Sequence, residues 1–227
     1  MTVKCPSDEK RMKLKDGLLE LLFPSRCAFC RKITDCGEQL CRDCERKLPY
    51  TEGSSGMQFF KNVDGCVSPL FYEGTVRESL LRYKFGGCAA YGTVYGKLIA
   101  KCIDENSISC DIITWVPLSR RRLRKRGYDQ ARLIAESVAG ELKVPCEKLL
   151  VKLRDNPAQS GAGNMENRRK NVSGVYDTVN EELFYGKRVL LTDDIVTTGS
   201  TLSECASMLK KAGAAAVYAA AAARKKD

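Results

Sequence analysis

Apolar residues recur along this chain in two rhythms, and its elements begin and end where one gives way to the other. Val189-Leu190-Leu191 is a run too short for a helix and reads as a buried parallel strand. After a short polar loop, Leu202, Cys205, Ala206 and Leu209 return at helical spacing, and Gly213 follows Lys210-Lys211 as a stop signal. Ile112 to Val116 is a second buried strand, and Ala131, Ile134, Ala135, Val138, Ala139 and Leu142 mark one face of a helix after it. Upstream, Val76, Leu80, Leu81 and Tyr83 predict a helix ending at Gly86-Gly87. Val94, Leu98, Ile99 and Cys102 predict another around 90–104. Residues 65–72 read as an edge strand, because Pro69 cannot donate to a ladder. Residues 146–153 and 174–179 are also expected to be extended. The alanine-rich run from Ala214 has helical propensity, yet it follows a helix and Gly213. A right-handed crossover therefore asks for a strand around 216–222. Strands alternating with helices predict an α/β fold, a parallel sheet flanked by helices.

The first fifty residues follow a different pattern. Residues 8–23 carry charges and then Leu18, Leu19, Leu21, Leu22 and Phe23, a short amphipathic helix stopped by Pro24. Cys27-Ala-Phe-Cys30 and Cys41-Arg-Asp-Cys44 are two Cys-x-x-Cys knuckles separated by a stretch long enough for a hairpin. Four thiolates so spaced suit one tetrahedral structural zinc, which would supply stability that so small a core lacks. A redox-active reading needs a single such motif after a strand, not a pair. Cys36 lies within the hairpin and is left as a free thiol. The expected organisation is an N-terminal helix (1–23), a zinc-ribbon module (24–50), a linker (51–56) and a main domain (57–227) whose hood spans about 57–90.

Composition narrows the chemistry. The chain has 12 cysteines, no histidine and a formal net charge of +10. Reduced thiols and the lack of a secretory apolar segment point to the cytoplasm, and no run is long enough to span a membrane. Histidine-based acid–base chemistry is excluded. The positive balance suits a polyanionic partner.

The chemistry-bearing stretch is the end of the first strand. Asp193 and Asp194 are followed by Thr197, Thr198, Gly199, Ser200 and Thr201 and then by a helix. The free amides of a helix N-terminus, with hydroxyls beside them, make an anion site. Carboxylates there would repel a phosphate unless they accept from something else, and vicinal ribose hydroxyls are the natural donors. A ribose 5-phosphate pocket results. Six of the seven residues Arg120–Arg126 are basic and follow the second strand, at the end of the sheet where ligands gather. Arginines there can grip pyrophosphate in bidentate fashion, while the remainder form a basic surface. Lys84 is either a phosphate-reaching lysine or a solvated helix end. A turn-rich segment with Arg168 near its close has the features of a lid.

The Asp193–Thr201 run resembles the 5-phosphoribosyl-1-pyrophosphate (PRPP) signature of type I phosphoribosyltransferases. Taken with the double Cys-x-x-Cys module, residues 117–130, Gln159, Arg168, Asn171 and Val172, the order of motifs resembles the ComF family. That resemblance implies a type I phosphoribosyltransferase fold with a zinc ribbon, PRPP bound with Mg²⁺, and a cytoplasmic role in handling incoming single-stranded DNA beside a helicase-like partner. Residue by residue, it implies that Asp193 and Asp194 grip the ribose and Thr197–Thr201 the 5-phosphate. Arg120 and Arg121 would take the pyrophosphate. It also implies that the turn after Pro117 often holds a non-proline cis peptide. Turnover would be phosphoribosyl transfer. The alternatives are a metabolic phosphoribosyltransferase acting on a free base or amine, and a PRPP sensor without catalysis. Aromatic residues are 7% of the chain and do not interleave with the basic run, so base stacking has no support in the sequence.

Overall fold

The computed structural model describes residues 24–35, 37–51, 57–154 and 174–226. The expected N-terminal helix, Cys36, most of the linker and the segment carrying Arg168 lie outside the described residues. The chain divides into two compact units, Met1–Leu48 and Pro49–Asp227.

In the first unit, Arg26 and Ile33 form an antiparallel bridge around the first knuckle. Arg31 closes that knuckle with φ 66°, its N–H donating to the Cys27 carbonyl at 3.0 Å. The second knuckle runs into helix α1 (Arg42–Lys47), which begins at Cys41.

The second unit is built on one sheet. Its strands are β1 (Gln58–Phe60), β2 (Val63–Val67), β3 (Leu70–Phe71), β4 (Ile112–Trp115), β7 (Arg188–Val196) and β8 (Ala216–Arg224). The order is β1-β2-β8-β7-β4, with β3 also pairing β8, and every pair except β1–β2 is parallel. Between these strands lie helices α2 (Gly74–Phe85), α3 (Tyr91–Glu105), α4 (Arg120–Arg126), α5 (Gln130–Leu142) and α6 (Ser200–Lys211). A separate antiparallel pair, β5 (Leu150–Lys152) with β6 (Tyr176–Thr178), takes up two of the expected extended segments. None of the described helices is long and apolar enough to cross a membrane.

Both faces of the sheet are covered, which is why its strands read as unbroken apolar runs. Val189 and Leu191 of β7 and Val217, Ala219 and Ala221 of β8 pack with Leu202, Cys205 and Leu209 of α6. The intervening residues, Leu190, Ala220 and Ala222, are equally buried and point the other way. On that side α3 and α5 pack together and against the strands. They approach closely at Gly96, where an added Cβ would stand 2.2 Å from the Ser137 hydroxyl oxygen.

The alanine-rich run forms β8, a central strand with β7 on one side and β2 and β3 on the other. Ladder pairing on both sides outweighs the intrinsic preference of alanine for helix. The expected edge strand at 65–72 is corrected. It is split into β2 and β3, with Ser68 and Pro69 in the break, and β1 pairs along its outer side. Pro69 thus interrupts an inner strand, and the hairpin to β1 supplies the edge. Substitution Gly96→Val should cost about 1–3 kcal/mol through overpacking between α3 and α5, read as a lower midpoint in thermal unfolding.

Candidate functional site

Two sites emerge, one in each unit. In the first, the sulfurs of Cys27, Cys30, Cys41 and Cys44 all lie within 4.8 Å of one another. The Cys41 N–H donates to the Cys27 sulfur and the Cys44 N–H to the Cys41 sulfur, each at 3.5 Å. Burial alone would raise the Cys27 thiol, yet backbone N–H donors bring it down to about 7. Four converging sulfurs with amide donors turned toward them fit the tetrahedral thiolate set of structural zinc.

The second site lies at the carboxyl ends of β4 and β7, where ligands collect in open parallel sheets. The Thr192 hydroxyl, fully buried, lies 3.2 Å from both the Thr114 and Ala131 carbonyls and so ties β7 to β4 and α5. The next two residues are Asp193 and Asp194. Asp193 accepts from the Asp194 N–H at 2.8 Å, and Asp194 pairs with Lys84 Nζ at 2.8 Å, both side chains largely enclosed. Burial, then the neighbouring Asp194 carboxylate, pushes Asp193 up to about 7.

Beyond the aspartates, residues 197–199 form the turn into α6. Gly199 is needed there twice over. Its φ is 68°, and an added Cβ would stand 2.2 Å from the Phe60 ring. The Thr198 and Ser200 hydroxyls lie 2.8 Å apart. A recess of about 40 Å³ opens among Asp193 and residues 195–202, more than the roughly 10–15 Å³ a single water requires. It opens onto the start of a twelve-residue helix, whose first amides have no intrahelical partner.

Next to this recess, and sharing Asp193 and Thr201 with it, is a cleft of about 270 Å³. Lys84, Arg122, Arg126 and Lys152 meet Asp193 and Asp194 there. The opposite wall is Pro117 and Leu118, held by Asp129, whose carboxylate accepts from the Leu118 N–H at 3.2 Å and caps α5. Gln130, 1% exposed, also lines the cleft. Its Oε1 accepts from Arg126 Nη1 at 2.7 Å, and its Nε2 has no partner among the described residues. A buried donor left unpaired costs about 1–3 kcal/mol, which a ligand oxygen would recover.

Residues 18–55 match the double zinc ribbon domain and residues 129–227 the phosphoribosyl transferase domain. The chain is 33% identical over 214 residues to Competence protein F of Haemophilus influenzae, covering 84% of this chain and 93% of that one. This chain belongs to the ComF family. Competence protein ComFC of Bacillus subtilis is 29% identical over 77% of this ComF chain and 67% of its own length. A shorter match, 32% over 45% of this chain and 44% of the relative, is to the DNA utilization protein YhgH of Escherichia coli K12.

Of the residues read from sequence, the structure gathers Asp193, Asp194 and Thr201 in the cleft, with Thr197, Thr198, Gly199 and Ser200 in the adjoining recess. It does not bring Arg120 and Arg121 there. The basic stretch is a helix, capped by the Ser119 hydroxyl and ended by Gly127 at φ 81°. Helical phase turns Arg122 and Arg126, four apart, toward the cleft and leaves Arg120 and Arg121 exposed. The two caps were the signal in the sequence. Lys84 reaches the cleft, but through Asp194. No cis peptide occurs among the described residues, the turn after Pro117 included.

One zinc per chain should be found by elemental analysis of purified protein, and Cys41→Ser should lose it. The raised Asp193 sets a pH dependence. Between about pH 4 and 7 the folded chain holds a proton that the unfolded chain releases, so stability falls as pH rises through that window. Asp193→Asn should therefore unfold at a higher temperature than wild type at pH 8, with the gap narrowing toward pH 4.

Proposed function

We propose that the cleft and its recess form one PRPP site, with Thr197–Thr201 and the amides of α6 taking the 5-phosphate. Asp193 and Asp194 accept from the ribose hydroxyls, and Arg122, Arg126 and Gln130 face the pyrophosphate. The observation that carries this reading is the pair of enclosed carboxylates directly beside an anion recess. A phosphate alone would leave those acceptors without donors, whereas a ligand with hydroxyl donors next to its anion suits both halves.

Lys84 neutralises Asp194 in the free protein and is released to the ligand when the hydroxyls replace it. Mg²⁺ accompanies the pyrophosphate. Two carboxylates line the cleft among the described residues, one of them paired, so the ion would be held chiefly by ligand oxygens and would lower the charge that the arginines must balance.

Membership of the ComF family supports a role in DNA uptake, in line with relatives named as competence proteins and as a DNA utilization protein. Within that role we assign PRPP as the ligand of the main domain and single-stranded DNA as the macromolecular partner. A helicase-like protein acts alongside, in the cytoplasm. Where turnover occurs it is phosphoribosyl transfer. A nucleophile bonds to ribose C1 as the C1–O bond to pyrophosphate breaks, and the arginines stabilise the departing charge. No protein nucleophile is required, in keeping with a chain that has no histidine.

The double substitution Asp193→Asn with Asp194→Asn tests the assignment in an equilibrium binding assay with radiolabelled PRPP and Mg²⁺. Binding should be lost while the circular dichroism spectrum is retained; binding at wild-type strength would sink it. Arg126→Met should weaken PRPP by about tenfold or more, since it removes a charge-assisted contact and frees the Gln130 amide.

A further inference from the structure

On the far side of the Pro117–Leu118 wall lies a second concavity, about 600 Å³, within the size range of nucleotide-sized sites. Pro117, Leu118 and Lys152 line both it and the cleft. The two therefore share a wall. Its apolar surface includes Trp115, at the end of β4, together with Tyr128 and the exposed Leu123.

Its cations are Arg120, Arg132, Lys148 and Lys152. The Arg132 guanidinium lies 5.7 Å from the Trp115 ring centroid, and Lys152 donates to the Tyr176 hydroxyl at 3.3 Å. Two carboxylates also line the groove, and both are engaged. Glu136 accepts from Arg132 at 2.7 Å, and Asp129 accepts from the Leu118 and Arg132 backbone N–H groups. From Arg120 the basic surface continues along the outer face of α4 through Arg121, Arg124 and Lys125. All four are exposed, and none has a carboxylate partner among the described residues.

We propose that this groove and the outer face of α4 are where single-stranded DNA binds, with a base against Trp115 and the backbone along α4. The inference rests on the DNA role proposed above and adds the place. The Arg132 guanidinium stands over the Trp115 ring. A nucleobase stacks on such an aromatic–guanidinium surface, and that needs an unpaired strand, because duplex bases are already stacked. A free base would use the ring but would leave without purpose four cations that have no carboxylate partner among the described residues. Repeated phosphates use both. Linear spacing hid this arrangement, since Trp115 precedes the basic run and Arg132 and Lys148 come from other elements.

Trp115 is the chain's only tryptophan, so its fluorescence reports on this groove alone. Zinc-loaded full-length protein is titrated with a 12-nucleotide oligo(dT) while tryptophan emission and the anisotropy of a labelled oligonucleotide are followed. The proposal predicts saturable quenching that tracks anisotropy and weakens steeply with salt. Trp115→Phe should weaken binding several-fold and Trp115→Ala by about tenfold or more. The exposed pair Arg120→Glu with Arg124→Glu, which leaves the core untouched, should weaken it at least tenfold.

Anisotropy binding with unchanged emission and unaffected by either set of variants would move DNA elsewhere and overturn the proposal, leaving the DNA role standing. No binding by either readout would overturn that role as well. Quenching by free thymine as strong as by oligo(dT), with no anisotropy change, would make this a base site and overturn the strand assignment. Tighter binding of oligo(U) than of oligo(dT) would assign the groove to RNA and overturn it too.

Discussion

Placing two carboxylates at the end of a strand buried on both faces is the constraint on which this molecule turns. β7 is central in its sheet, and Val189, Leu190 and Leu191 are fully buried. Asp193 at its end is half-buried, and burial with the adjacent Asp194 holds its pKa far above the ordinary carboxylate range. The surroundings meet this cost with a few fixed contacts. Lys84 comes from α2 to pair with Asp194, and the Thr192 hydroxyl ties β7 to β4 and α5. In the proposed site, hydroxyl donors of a ligand would satisfy these acceptors.

The rest of the second unit follows from making that strand end firm. Small residues in β8 and the close α3–α5 contact at Gly96 let helices cover the sheet tightly. Asp129 caps α5 and holds Leu118 with the same carboxylate, fixing the wall between the cleft and the groove. Pro117 and Leu118 line both cavities, so shifting that wall would alter both at once. The zinc module solves a different problem: four thiols and a few amides replace the hydrophobic core that so short a stretch cannot build.

Local features were legible in the sequence. A strand, two aspartates, a hydroxyl-rich turn and a helix lie within fifteen or so residues, so their order dictates their proximity. Cysteine spacing works in the same way. The strand at β8 was legible only through topology, since alanine propensity argued against it. Features that depend on rotation or on distant elements were harder to see. Taken as a turn, the basic run offers Arg120 and Arg121 first; taken as the capped helix it is, it offers Arg122 and Arg126. Lys84 and Gln130 reach the cleft from elements whose approach no spacing encodes. The edge assignment of residues 65–72 failed because Pro69 marks a break within an inner strand as readily as an edge.

The most direct test of the central claim is calorimetric titration of PRPP with Mg²⁺ at pH 7, repeated in two buffers of different ionisation enthalpy. Ribose hydroxyls donating to Asp193 favour its charged form, so binding should saturate at one ligand per chain and release protons. That release should shrink in Asp193→Asn. Saturable heat that is the same in both buffers would contradict the role given to Asp193, and no saturable heat would contradict the site itself.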